Sequence, residues 1–124
     1  EQGQVINEVA RNCYNVAASK GWHENDANKT DLQLVETFVA NCHAEVSELW
    51  EAARGGKLHK PCDKADKMEE LGITPLTCLQ EELADIVIRV FDFSASIGVN
   101  IASAIDRKSS FNATRPHRHG GKLA

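Results

Sequence analysis

The chain has no excess of positive charge, no long apolar run and no paired-cysteine motif, and each absence removes a class of function. Lys+Arg 14 against Asp+Glu 18 gives a formal net charge of −4, and with a pI near 5.7 it argues against a partner of duplex nucleic acid, which calls for a basic face. No apolar segment approaches the about 20 residues of a membrane span, and no signal-type apolar core is visible. The expectation is a cytoplasmic chain with no membrane partner. Cys13, Cys42, Cys62 and Cys78 follow neither C-x-x-C nor Cys/His zinc spacing and mostly lie in apolar helical stretches, which reads as free, mostly buried thiols. Strand-type alternation is scarce, and no internal repeat has convincing side-chain correspondence.

What is present is helical periodicity, so the fold class is all-α, in one domain spanning 1–124. A helical layer of this size gains from a partner subunit. The first helix is predicted from about Gln4 to Ser19, with Val5, Ile6, Val9, Cys13, Val16 and Ala17 on one stripe, and it stops at Lys20-Gly21. Trp22 to Thr30 reads as a polar loop. A long second helix begins near Asp31, carries Leu34, Val35, Phe38, Val39, Cys42, Val46 and Leu49, and ends at Gly55-Gly56. Lys57 to Gly72 is charged and aperiodic, with room for one short helical turn, and is the segment expected to be most mobile. Thr74-Pro75 supplies an N-cap and a first-turn proline for a third helix to about Ile97, packing through Leu79, Leu83, Ile86, Val87, Val90 and Phe91. Gly98 breaks it. Asn100 then caps a fourth helix from Ile101 to about Ser110 with Ala104 and Ile105 inward, and Phe111 to Ala124 reads as an extended basic tail.

The chemistry is concentrated in two acidic pairs, Glu45-x-x-Glu48 and Glu82-x-x-Asp85. Residues three apart are helix neighbours, so each pair acts as a unit. Two like charges about 4 Å apart at an effective dielectric near 20 repel by roughly 4 kcal/mol, and four such groups need a counter-charge. Protonation is one answer. A hard divalent cation, Mg²⁺ or Mn²⁺, suits an all-oxygen set with no interleaved His or Cys better than Zn²⁺ does. On spacing alone the other reading is a solvated acidic helix face. A ferritin-like di-iron site is disfavoured, since neither helix carries Glu-x-x-His.

A second clue follows Asp106, the last acidic residue. Arg107, Lys108, Arg115, Arg118 and Lys122, with His117, His119 and Gly120-Gly121, concentrate cationic donors in an acidic chain. Such a cluster can hold a polyphosphate, or it can be a solvated basic tail. Base recognition has three candidates. Trp22 and His23 lie in the polar loop, where the indole either stacks on a nucleobase or packs the loop onto the bundle. Asn41 shares a face with Glu45 and Glu48. Trp50 reads as core or interface, and His43 points away from the acids.

The runs HAEVSELWEAARGGK (43–57), EELADIVIRVFDFSASIGVNIASAIDRK (81–108) and FNATRPHRHGGK (111–122) resemble the MazG-like all-α nucleoside triphosphate pyrophosphohydrolases, and the resemblance covers most of the chain from Trp22 onward. It implies a four- to five-helix bundle completed by homo-oligomerisation as a dimer or tetramer. It also implies Mg²⁺ on Glu45, Glu48, Glu82 and Asp85, and Lys108, Asn112 and Arg115 near the triphosphate; the charge that develops in such a reaction calls for a general base, for which Glu48 and Glu45 are the candidates. The implied reaction cleaves a nucleoside triphosphate, by preference a deoxynucleotide, between the α and β phosphates, to cleanse the nucleotide pool. The charged insert between Glu48 and Glu82 departs from the family pattern. Two other classes stay open: a nucleotide-binding regulatory module without turnover, and a helical interaction protein.

Overall fold

The computed structural model describes residues 1–124 and is all-helical. Its elements are α1 (Gln2–Ser19), α2 (Asp31–Arg54), α3 (Ala65–Glu70), α4 (Cys78–Ser96), α5 (Ile101–Ala113) and a single irregular turn, α6 (Arg118–Gly121), with a 3₁₀ turn at Asp26–Asn28. No single helix is long and apolar enough to cross a membrane.

The axis of the fold is α4. Phe38 stacks on Phe93, ring centroids 4.3 Å apart, and Glu45 pairs with Arg89, so α2 runs antiparallel along one side. The other side takes α1, again antiparallel: Asn7 meets Asn100 at one end, and the Tyr14 ring stacks on His23, which contacts Asp92, at the other. Gly98, at φ 80, ends α4 in a left-handed residue, and the Val99 N–H closes the turn on the Ser94 carbonyl at 2.8 Å. The chain then bends by 114° into α5. Asn100 caps α5 through the Ser103 N–H, and Asn7 reaches across from α1 to accept from the Ala102 N–H. One helix start is thus satisfied from two elements.

Three expectations are corrected. The third predicted helix begins at Thr77 rather than Thr74, because Thr77 and Gln80 form a reciprocal capping box and Thr74 has no such partner three residues on. The backbone of residues 76–79 pairs with the preceding segment. The 57–72 segment, expected to be mobile, is pinned there: the Cys62 N–H donates to the Leu76 carbonyl, the Cys78 N–H to Lys60 and the Leu79 N–H to Leu58, each at 2.9 Å. Pro61 and Thr77 form an isolated antiparallel bridge, and Cys62 and Ala65 are buried. The tail is not extended from Phe111, since α5 continues to Ala113 before Thr114 turns back onto the Phe111 carbonyl.

The core is thin. Only Ala10, Cys62, Ala65 and Ala102 are buried among apolar residues, and no large side chain is fully enclosed. Val5, Val9 and Val16 on α1, Val35, Val39 and Val46 on α2, and Leu83 and Val87 on α4, all predicted to pack, are exposed in the single chain.

Candidate metal centre and adjoining cavity

Glu45 and Glu48 leave α2 one turn apart, Glu82 and Asp85 leave α4 one turn apart, and the antiparallel packing of the two helices brings the pairs face to face. One oxygen from each carboxylate lies within 4.8 Å of the others. Glu45 is only 8 % exposed, and its two oxygens are treated differently. Oε1 accepts from Arg89 Nε at 3.3 Å and Nη2 at 3.2 Å. Oε2 is buried without a partner, as is Oε2 of Glu82. A carboxylate oxygen taken from water and left unpaired is costly, and a bound cation removes that cost.

The titration behaviour agrees with the geometry. Glu48, Glu82 and Asp85 all have pKa values raised above the ordinary carboxylate range, first by loss of hydration and then by neighbouring carboxylates, Glu45 for Glu48 and Asp85, Glu48 for Glu82. Like charges crowd here with too little to balance them. The cluster could hold a metal ion, and its all-oxygen donors suit a hard one.

Beside it lies a cavity of about 290 Å³ at the crossing of α2, α4 and the 22–29 loop. Trp22, His23 and Asn41, chosen from the sequence, all line it, together with Arg89 and the stacked pair Phe38 and Phe93. Trp22 is 76 % exposed, so its ring is not consumed by packing the loop. His23 is held at both ring nitrogens, Nδ1 against Asp26 at 2.5 Å and Nε2 against Asp92 at 2.7 Å, with Tyr14 stacked on its face. Burial alone would lower its pKa, but the two carboxylates outweigh that and raise it. Arg89 joins the two sites, because it both binds Glu45 and lines the cavity.

No family model, curated protein or solved structure matches this chain. Function is therefore read from the chemistry of these side chains.

The predicted phosphate-binding residues stand elsewhere. Lys108 and Arg115 gather over the Phe111 ring, 4.9 Å and 6.0 Å from its centroid, and Asn112 lies in the last turn of α5. None of the three lines the acidic cleft or the Trp22 cavity. At 1.5 Å per residue, Lys108 is about 10 Å along α5 from the bend, and Asp85 about 18 Å back along α4. Two cations near the acids were missed in the sequence. Arg89 had a signal, since Glu82, Asp85, Arg89, Asp92 and Ser96 recur at alternating three- and four-residue steps on α4. Lys64 had none, because it reaches the site only through the docking of the 57–72 segment.

Proposed function

We propose that this protein is a metal-dependent nucleoside triphosphate pyrophosphohydrolase that cleaves between the α and β phosphates and releases the monophosphate and pyrophosphate. The observation that carries the reading is the unpartnered, buried oxygens of Glu45 and Glu82 within a four-carboxylate cluster that Arg89 links to an aromatic-walled cavity. Glu45, Glu48, Glu82 and Asp85 would hold Mg²⁺, with Mn²⁺ as a substitute. When bound, the cation supplies Lewis-acid polarisation of phosphate oxygens and a more acidic water.

The chain's own groups do the rest. Glu48 is the most open of the four acids and is free of the Arg89 contact that engages Glu45. It is the general base, taking the proton as the water oxygen bonds to the α phosphorus. The bridge to the β phosphorus then breaks, and pyrophosphate departs with the bonding electron pair. Trp22 stacks on the base, Asn41 reads its edge or the sugar, and His23 fixes the loop that presents both. Lys108, Asn112 and Arg115 contribute to the triphosphate site of a neighbouring copy in a homo-oligomer, for which the uncovered valine rows on α1 and α2 provide the contact. Deoxynucleotides are the preferred class, and nucleotide-pool cleansing the role.

A pyrophosphate-release screen over ordinary and modified nucleotides with Mg²⁺ tests the reading. Glu48→Gln and Asp85→Asn should abolish release while the helical signal is unchanged; wild-type turnover in either variant rules out the site. Tight nucleotide binding with no monophosphate from any substrate would identify a binding module instead.

A further inference from the structure

A cleft of about 410 Å³ borders the carboxylate cluster on the side of Glu48, Glu82 and Asp85; Glu51, Asp63 and Glu81 complete its acidic wall, and a single basic residue lines it, Lys64. An incoming polyphosphate therefore meets one fixed positive charge among six acids. The Lys64 ammonium donates to Glu81 Oε2 at 2.7 Å and to Asp63 Oδ1 at 2.9 Å. An ammonium has three N–H donors, so one is uncommitted. The side chain is 63 % exposed while its backbone is fixed, with buried Cys62 and Ala65 on either side and the Pro61–Thr77 bridge just before it. The hydrogen bonds to Glu81 and Asp63 hold the group firmly in its charged form, above the usual lysine range.

We propose that Lys64 is a phosphate-binding residue of this site, donating its remaining N–H to an oxygen of the two terminal phosphates. This rests on the triphosphate reading above. As the α–β bridge breaks and the leaving group takes the bonding pair, charge accumulates on the pyrophosphate, and a positioned ammonium there strengthens its hold as the reaction proceeds. The competing role is a staple: Lys64 would only tie the 57–72 segment to Glu81 on α4.

Calorimetry of pyrophosphate binding to the Mg²⁺-loaded chain separates the two. Lys64→Gln should weaken binding by about tenfold or more, the size of one charge-assisted hydrogen bond, and Lys64→Arg by no more than about threefold. The rise in melting temperature on adding Mg²⁺ should be no smaller in either variant than in the wild type, because Lys64 is not a metal ligand and its charge opposes a cation at Glu48 and Asp85. Glu81→Gln keeps the lysine, leaves it a neutral acceptor in place of a charged one and removes an acid from the wall, so it should bind pyrophosphate more tightly; a staple predicts lower stability with no gain. Failure of the wild type to bind pyrophosphate, or equal binding by Lys64→Gln, overturns the assignment. Lys64-dependent binding in a chain that turns over no nucleotide would leave the assignment standing and remove the hydrolase reading. Turnover with KM, kcat and pyrophosphate affinity all unchanged in Lys64→Gln would remove the assignment alone.

Discussion

At Glu45 one oxygen is claimed by Arg89 and the other by nothing, and the acids around it are held above the ordinary carboxylate range by lost hydration and then by neighbouring carboxylates. Without a cation, Glu48, Glu82 and Asp85 resist ionisation; neutralising any one of them relieves its neighbours. Glu48→Gln should therefore raise the melting temperature of the chelator-treated protein by a few degrees while lowering kcat by at least about a hundredfold, a combination a purely structural acid would not give. Mg²⁺ at about a hundred times its dissociation constant should stabilise the wild type by about 2.7 kcal/mol, reversed by chelator and absent in Glu48→Gln at the same concentration. At His23 the neighbours favour the charged form instead, though the pH dependence has the same sign. Its folded pKa is raised above the ordinary 6.5, so its stabilisation is complete below that value and is lost as pH rises through the folded pKa. Urea midpoints measured against pH should fall across that window in the wild type and stay flat there in His23→Gln.

Among the elements, α4 carries most of the design, with its start held by Thr77 and a polar ladder running from Glu82 to Ser96. Thr77→Ala removes a capping box and should cost about 1 kcal/mol in chemical denaturation, whereas Thr74→Ala, outside any cap, should stay within about 0.5 kcal/mol. That contrast marks where the sequence was legible. Both acidic pairs followed from local spacing, which a linear reading handles; Trp22, His23 and Asn41 were legible as separate candidates, but their meeting in one cavity depends on how α2 and α4 pack against the 22–29 loop. The helix start did not, because two threonines three residues apart each offer a cap, and only the reciprocal glutamine decides. Arg89 and Asp92 lie on the same three- and four-residue steps along α4, but nothing in one sequence separates them from ordinary surface charge. Lys64 and the docking of 57–72 depend on backbone pairing between segments, for which no periodicity exists.

As a whole, the molecule hides little of its apolar surface, and the rows Val5, Val9, Val16 and Val35, Val39, Val46 remain open to solvent in one copy. Sedimentation should give a mass at least twice the 13.6 kDa of a single chain, and Val39→Asp should shift it toward the monomer and lower turnover with it. Arg89 adds a constraint of another kind. Because one guanidinium serves both the carboxylate cluster and the wall of the Trp22 cavity, the free energies of filling the two compartments are not independent. Any nucleoside that tightens cation binding through Arg89 is itself held more tightly by the same factor once the cation is present, so the order in which the two arrive leaves the final complex equally stable and changes only the route to it.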